Sequence, residues 1–325
     1  MVKGVKPWYL RQSTQDILEK FRYIQQQEDL RLREATLNPE TSKWSLGVSM
    51  SQENYDRNRY INIMPYERNR VKLRVKSGND YINASYVKVE VPGESLRAGY
   101  YIATQGPTEN SWPHFWQMCY QQCPGEHAVV VMVTPLTEHR KRKCFEYWPR
   151  APEFCVAVPR NQGLDAVFET GLEVQYVAEE RENDYVLTTL KLMPSDPRLP
   201  PKTVHHFYFD QWRDMSKPDE ILPILKLSKH SHKLNSPENP MIVHCSAGVG
   251  RTGTFITLDH LFHDTRDFTD SGPVEDYPHD LVEQIVSQLR SQRLKMVQTP
   301  DQYLFIYHAA ELVQNLASAQ DLTKK

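Results

Sequence analysis

Runs of apolar residues in the first two thirds of the chain predict the strands of a β-sheet. Apolar and polar residues alternate in the early strands, whereas 128–133 is continuously apolar, as is typical of a strand covered on both faces. Between 144 and 192 the pattern alternates and is interrupted by prolines, which favours antiparallel strands and hairpins. Single strands are predicted at 71–75, 81–87, 100–104, 128–133 and 204–209.

Apolar residues at helical spacing predict helices, most of them in the second half of the chain. The first helix follows Ser13, a typical N-cap, and extends to about Arg33; we expect it to pack at the edge of the domain. Thr299 and Pro300 mark another helix start, with an N-cap followed by proline at the first helical position. The predicted helices cover 14–33, 108–122, 255–263, 281–292 and 300–316.

Together these elements predict an α/β fold, a single domain with a twisted, mixed β-sheet flanked by helices. No internal repeat and no Gly/Ser-rich linker divides the chain. The polar segments 38–52 and 264–280 both contain glycine and proline, so we expect them to be loops.

Charge and cysteine content exclude several classes of function. A formal net charge of −2 gives no electrostatic reason to expect nucleic-acid binding. The five cysteines, an odd number without a Cys-x-x-Cys pair, argue against a disulfide framework and favour a reducing compartment. Cys119 and Cys123 lie four residues apart in a helical pattern, so we expect them to be ordinary helix residues rather than metal ligands.

Signals for export or membrane attachment are missing from the sequence pattern. Lys3 and Lys6 lie in an N-terminus without an apolar core, which argues against a signal peptide. The longest apolar run, 128–133, is far too short to span a bilayer, and the patterns for N-myristoylation and prenylation do not occur. We therefore expect a cytoplasmic protein without a membrane anchor, with access to the nucleus left open.

The strongest indication of chemical function is the stretch 242–254, which predicts a strand, a tight anion-binding loop and a helix N-terminus. The backbone N–H groups of such a loop and the helix dipole favour negative charge, so Cys245 should lose its proton more easily than a free thiol. Arg251, six residues later, can bind two phosphate oxygens at once. Backbone donors would come from the five residues between them: Ser246, Ala247, Gly248, Val249 and Gly250.

The sequence of 244–253, His-Cys-x5-Arg-Thr-Gly, resembles the signature of the cysteine-dependent protein tyrosine phosphatases. The resemblance covers roughly 57–305 and is to phosphotyrosine-specific, non-receptor, single-domain members. The motifs at 57–66 and 291–299 are similar to those of the budding-yeast type of fungal phosphatase. The resemblance implies that Cys245 is the nucleophile and that the Thr252 hydroxyl hydrogen-bonds the Cys245 sulfur. The structural alternative is a buried cysteine in a glycine-rich turn.

For the general acid, the resemblance implies Asp214. The sequence at 211–214, Gln-Trp-Arg-Asp, resembles the mobile loop that carries the acid in this family, usually as Trp-Pro-Asp. Trp212 is retained, but Arg213 replaces the proline that would fix one φ angle, so we expect altered loop kinetics rather than loss of the acid. A surface aspartate in a polar turn is the alternative.

Two further positions bear on the substrate. Tyr60 resembles the tyrosine whose ring packs against the phosphotyrosine ring and deepens the cleft, which implies selection against the shorter phosphoserine. Asn62 stands where the family usually has an aspartate that grips the peptide backbone, so we expect weaker peptide affinity. His244, which flanks the nucleophile, is implied to support it.

The resemblance also implies roles for four residues around the reacting groups. Glu138 would orient Arg251, and Lys143 would contact the acid loop. Gln298 would position the hydrolytic water, and Gln302 would support Gln298.

The resemblance therefore implies a protein tyrosine phosphatase that hydrolyses phosphotyrosine in proteins through a phosphocysteine intermediate, with no cofactor and no metal. Its partners would be phosphotyrosine-containing proteins rather than nucleic acid, and we expect a monomer. Two alternatives are a phosphotyrosine-binding pseudo-phosphatase, favoured only by Arg213 and Asn62, and a dual-specificity phosphatase, against which Tyr60 argues. The expected organisation is a helical extension and loop at 1–50 packed on the domain, a catalytic domain at 51–318 and a polar C-terminal tail at 319–325.

Overall fold

The computed structural model of the protein describes residues 6–91, 97–163, 165–214, 220–263 and 280–323, with side chains as far as residue 316. The strands in these ranges are β1 (Arg70–Lys72), β2 (Ser77–Gly78), β3 (Tyr81–Val89), β4 (Gly99–Thr104), β5 (His127–Met132), β6 (Thr137–Glu138), β7 (Lys141–Arg142), β8 (Cys155–Val158), β9 (Asn161–Gln162), β10 (Ala166–Val167), β11 (Leu172–Arg181), β12 (Val186–Pro194), β13 (Lys202–Tyr208) and β14 (Met241–His244). The α-helices are α1 (Thr14–Leu37), α2 (Gly47–Met50), α3 (Trp112–Gln122), α4 (Leu222–Leu234), α5 (Gly250–His263), α6 (Leu281–Gln292) and α7 (Pro300–Thr323).

Nine strands form the main sheet, in the spatial order β1-β3-β4-β14-β5-β13-β12-β11-β8. The four central strands β4, β14, β5 and β13 are parallel to one another. Every other pair of neighbouring strands in this sheet is antiparallel. Because parallel strands point the same way, all four central strands end at one edge of the sheet, and the segments that follow them start there. The predicted mixed sheet flanked by helices is confirmed.

Helices cover both faces of the sheet, as the burial of β5 shows. Val129 and Val131 pack with side chains of α1, α4, α5, α6 and α7, while Val130 and Met132 face the opposite side, where α3 packs. The continuous apolar run predicted as a two-sided strand is therefore covered on both faces. Cys119 of α3 is fully buried on the same face of the sheet as Val130 and Met132. Among the described residues, no helix is both long and apolar enough to cross a bilayer.

The first and sixth helices meet at the edge of the domain. The Ser13 side chain accepts a hydrogen bond from the Asp16 N–H at 3.1 Å, which caps α1. Helix α1 then buries Ile17, Phe21 and Ile24 in the core shared with α6 and α7. Helix α6 has the predicted bounds, 281–292, since its apolar stripe is fully buried.

Several expectations about helices need correction. Helix α3 begins at Trp112, four residues later than predicted, because 108–111 form a turn in which the Thr108 N–H donates to Ser111 Oγ at 2.9 Å. The short helix α2 lies within the segment 38–52 that was predicted to be a loop. Helix α1 ends four residues later than predicted, because the first proline after its start is Pro39. Helix α7 continues to Thr323 through most of the predicted tail at 319–325, since 301–323 contains no glycine or proline to end it. Helix α4 was not predicted, because histidine and lysine residues interrupt its short apolar stripe. The loop predicted at 264–280 lies outside the described residues except for its last position.

Candidate active site

The loop after β14 forms a tight turn around Cys245. Cys245 follows the last residue of β14, and helix α5 begins five residues later at Gly250. Gly248 has a φ angle of +76°, and a Cβ there would lie 2.2 Å from the Thr104 carbonyl oxygen, so this position requires glycine. The Gly248 N–H donates to the Cys245 Sγ at 3.2 Å. The predicted phosphate-binding loop is thus wound around the sulfur.

The Cys245 thiol lies in an environment that favours the thiolate. Burial alone would raise its pKa, but the Arg251 charge, the Thr252 hydroxyl and N–H and the Val249 N–H together hold the pKa below its ordinary value. The buried Thr252 hydroxyl oxygen has no hydrogen-bond partner within the described structure, so it is available to the neighbouring sulfur. These contacts favour the thiolate over the neutral thiol.

Arg251 is held by backbone and carboxylate groups from two other segments. Its side chain is 1% exposed, and its Nη1 donates to the Trp212 carbonyl oxygen at 2.9 Å. Its Nη2 donates to Asp214 Oδ1 at 3.2 Å, and Glu138 Oε2 lies 3.8 Å from Nη1. The buried Nε has no hydrogen-bond acceptor among the described residues, so this donor fits an incoming anion.

Asp214 lies at the centre of the same group of charges. Lys143 Nζ donates to its Oδ2 at 2.6 Å, and its own N–H donates to the two Glu138 carboxylate oxygens at 2.9 and 3.2 Å. The Asp214 side chain is 34% exposed, whereas Trp212 is fully buried and Arg213 is exposed. Residues 133–143 and 209–214 follow the parallel strands β5 and β13, which explains why these distant segments meet.

Tyr60 reaches the phosphate-binding loop from the opposite side. Ser246 Oγ donates to the Lys143 carbonyl oxygen at 2.8 Å, so the Tyr60 hydroxyl donates to Ser246 Oγ, also at 2.8 Å. Arg59 fixes this segment by donating to the Gly106 carbonyl oxygen at 3.0 Å. Asn62 is exposed, and no hydrogen bond in the described structure joins it to the other predicted site residues.

The two glutamines lie against the start of α5. A Cβ added to Gly250 would lie 3.1 Å from Gln298 Oε1 and from both polar atoms of the Gln302 side chain. Gln302 is buried, and its Oε1 accepts the N–H groups of Gln298 at 2.9 Å and of Thr299 at 3.2 Å. Gln302 therefore fixes the backbone that carries Gln298.

A buried hydrogen-bond chain supports the loop from below. His244 Nδ1 lies 2.9 Å from the Cys245 carbonyl oxygen, so it carries the proton, and Nε2 accepts from the Tyr147 hydroxyl at 2.6 Å. The Tyr147 oxygen in turn accepts from His206 Nε2 at 2.7 Å. Burial lowers the pKa of His244 to about 4, which keeps the imidazole neutral. With His244 neutral, a continuous chain of hydrogen bonds runs from His206 through Tyr147 and His244 to the Cys245 carbonyl oxygen.

Arg293 holds the phosphate-binding loop, although the sequence alone indicated no role for it. Its side chain is fully buried, with Nε donating to the Gly248 carbonyl oxygen at 2.9 Å and Nη2 to the Ala247 carbonyl oxygen at 3.0 Å. Burial lowers its pKa to about 10, so it stays charged at neutral pH. By holding the loop carbonyls outward, Arg293 leaves the N–H groups facing the anion. Its position within the 291–299 motif was the available signal.

Potential metal ligands gather elsewhere, in a group formed by His232, Asp259 and His263. His232 Nε2 lies 2.6 Å from Asp259 Oδ2, and the buried carboxylate also accepts from the hydroxyls of Tyr101 and Ser228, both at 2.7 Å. The two imidazoles stack at 4.0 Å with planes 25° apart, so their in-plane lone pairs run side by side rather than converging. Hydrogen bonding therefore accounts for this group.

Comparisons with known proteins agree with the site. A family model described as protein-tyrosine phosphatase matches residues 54–311. Over 97% of this chain and 99% of the relative, the sequence is 56% identical to Tyrosine-protein phosphatase 1 of Saccharomyces cerevisiae. It is 36% identical to Tyrosine-protein phosphatase non-receptor type 2 of Rattus norvegicus, over 81% of this chain and 57% of that relative.

Solved structures show the same likeness. A structure of PTPN18, concerned with its fingerprint on distinct HER2 tyrosine phosphorylation sites, aligns with a TM-score of 0.73 and 25% identity over 91% of this chain and 94% of that chain. A structure of PTPN18 in complex with HER2 phosphopeptides gives the same TM-score at 26% identity. The resemblance predicted from the signature at 244–253 is confirmed, and the chain belongs to the protein-tyrosine phosphatase family.

Proposed function

We propose that this protein hydrolyses phosphotyrosine in proteins through a phosphocysteine intermediate on Cys245. One observation carries the proposal: the lowered pKa of the Cys245 thiol beside a buried Arg251 that also hydrogen-bonds Asp214 at 3.2 Å. Nucleophile, anion-binding cation and proton donor are therefore within reach of one phosphoryl group. This set of groups is what a two-step phosphoryl transfer requires.

In the first step the Cys245 thiolate attacks phosphorus, so that an S–P bond forms as the P–O bond to the tyrosine breaks. Arg251 and the N–H groups of the loop bind the phosphoryl oxygens and stabilise the charge of the transition state. Asp214 gives its proton to the departing phenolate. Its contacts with Lys143 and Glu138 hold the carboxyl group beside the site.

In the second step the phosphocysteine is hydrolysed. Gln298 positions a water molecule, Asp214 now takes a proton from it, and the S–P bond breaks to release phosphate. The Thr252 hydroxyl, whose oxygen has no hydrogen-bond partner in the described structure, stabilises the thiolate that leaves. Gln302 supports Gln298 through the backbone hydrogen bonds described above.

The substrate class follows from the mouth of the site. Tyr60, hydrogen-bonded to Ser246, adds a ring beside the phosphate-binding loop, and the aromatic phosphotyrosine can pack against it. The PTPN18 structure with HER2 phosphopeptides supports phosphotyrosine-containing proteins as partners. We further propose a cytoplasmic monomer, since the chemistry needs a reduced thiol and every group in these steps comes from one chain. The catalytic domain would span 51–318.

The test is phosphate release from matched phosphotyrosyl and phosphoseryl peptides. We expect turnover of the phosphotyrosyl peptide alone, and its loss in Cys245→Ser, which keeps the loop but lacks a low-pKa thiol. Activity retained by Cys245→Ser would refute the mechanism, and equal turnover of both peptides would favour a dual-specificity enzyme. Binding without turnover by the wild type would instead favour a pseudo-phosphatase.

A further inference from the structure

The backbone just before Gln298 is strained. Residues 293–299 connect α6 to α7, and within them Lys295 and Val297 have φ angles of 57° and 59°. The left-handed region is unfavourable for residues with a Cβ, and most of all for a β-branched residue such as valine. Contacts from outside the segment must therefore hold this conformation, and the position of Gln298 depends on them.

Arg290 of α6 supplies part of this support. Its fully buried guanidinium donates from Nε to the Met296 carbonyl oxygen at 2.6 Å and from Nη2 to the Val297 carbonyl oxygen at 2.9 Å. The Val297 N–H donates to the Val249 carbonyl oxygen at 3.1 Å. The segment thus connects a buried cation to the phosphate-binding loop.

Glu28 of α1 completes the arrangement from a different part of the chain. Its carboxylate is fully buried, with Oε1 accepting from Arg290 Nη1 at 3.2 Å and Oε2 accepting from the Lys295 N–H at 2.9 Å. Gln25, one turn earlier, also accepts from Arg290 Nη1, at 2.9 Å. Glu28 therefore balances the buried charge and fixes one of the two strained residues directly.

Helix α1 lies outside residues 54–311, the range that matches the family model. We propose that Glu28 is a positioning residue for hydrolysis of the phosphocysteine, because through Arg290 and Lys295 it holds the backbone that places Gln298 against the phosphate-binding loop. The inference rests on the proposed function, in which Gln298 positions the hydrolytic water. It assigns the N-terminal helix to the second chemical step, in which Gln298 acts.

Rapid-mixing kinetics with p-nitrophenyl phosphate separate the two steps, since nitrophenolate leaves in the first and phosphate in the second. Glu28→Gln keeps the shape and one acceptor oxygen but removes the charge that pairs with Arg290. We expect its first-turnover rate to stay within about twofold of wild type while kcat falls about tenfold, because small displacements of a positioned group are costly. A burst of nitrophenolate should then appear, and we expect the same burst from Gln298→Ala. Unchanged kcat, or equal slowing of both steps, would overturn the proposal.

Three further variants make the result specific. Ile17→Ala removes another buried side chain of α1 that makes no hydrogen bond to 293–299, so it should destabilise the helix without producing a burst. Glu28→Gln combined with Lys295→Gly should recover most of kcat, because glycine adopts the φ of 57° without strain. If Glu28→Gln does not fold, Glu28→Asp, which retains the charge on a shorter side chain, serves for the same measurement. A burst in Ile17→Ala, or no recovery in the double variant, counts against the role of Glu28.

Failure of this inference is distinct from failure of the proposed function. A wild-type protein that releases no nitrophenolate refutes the phosphatase activity itself. A wild-type protein that turns over normally, with Glu28→Gln indistinguishable from it in both phases, refutes only the positioning role.

Discussion

Replacing Tyr147 with phenylalanine removes one oxygen from the buried chain that joins His206 to His244. The hydroxyl donates to His244 Nε2 and accepts from His206 Nε2, so both nitrogens lose their partner in a site that water does not reach. The ring keeps its contacts with Phe115 and Trp116, at centroid distances of 4.7 and 5.6 Å, so no large cavity forms. Each buried polar group left unsatisfied costs about 1–3 kcal/mol, so two give a loss of about 2–6 kcal/mol in the free energy of unfolding.

Urea unfolding followed by tryptophan fluorescence measures this loss. The matched control is Tyr120→Phe, because the Tyr120 hydroxyl donates to the Pro200 carbonyl oxygen at 2.8 Å in an exposed position, where water replaces it. We expect the control to lose less than about 1 kcal/mol. A free energy of unfolding for Tyr147→Phe within about 0.5 kcal/mol of wild type, at an unchanged m-value, would refute the donor chain.

Three further predictions address charge and protonation. Asp214→Asn should lower kcat on a phenyl phosphate ester by about 10²–10⁴-fold with KM little changed, because it removes the proton donor but not the anion-binding groups; steady-state kinetics that show an unchanged kcat would exclude Asp214 as the acid. The rate of Cys245 alkylation by iodoacetamide should rise with pH through an inflection below the ordinary thiol value of 9.0, since the loop and Arg251 lower its pKa; an inflection at or above that value would contradict a stabilised thiolate. Burial lowers the pKa of His114 to about 3 and that of His244 to about 4, so the folded state stays unprotonated where the unfolded chain binds protons. Stability should therefore be fully present above pH 6.5 and fall by up to about 1.4 kcal/mol per histidine and pH unit below it, which thermal unfolding at pH 7, 6 and 5 would detect as a falling Tm and which a constant Tm would disprove.

Local patterns in the sequence predicted the helices that bury one face and the strands that are covered on both faces. Helix α6 has its predicted bounds because its apolar stripe faces one core, and β5 was recognisable because both of its faces are covered. The phosphate-binding loop was equally accessible, since Cys245 and Arg251 lie within seven consecutive residues whose geometry is set locally. In all three cases the signal and the structure occupy the same short stretch of chain.

Contacts between distant segments had no comparable signal. Glu28 lies in a charged part of α1, and its neighbours in the sequence predict an exposed side chain. In the structure it is fully buried against the backbone of Lys295. Arg293 acts on carbonyl groups of the loop, which carry no side-chain signature. The approach of Lys143 to Asp214 depends on two parallel strands ending at the same edge, which requires the sheet order.

The parallel centre of the sheet has a consequence for engineering this protein. Strands β4, β5, β13 and β14 all end at the edge where the reacting groups lie, while the turn between β12 and β13, at 195–201, lies at the opposite edge, where Leu192 pairs with Lys202. A reporter domain or affinity tag inserted in that turn would be separated from the phosphate-binding loop by the full length of the central strands. The catalytic groups therefore constrain one edge of the sheet, whereas the chain can be lengthened at the turn on the opposite edge.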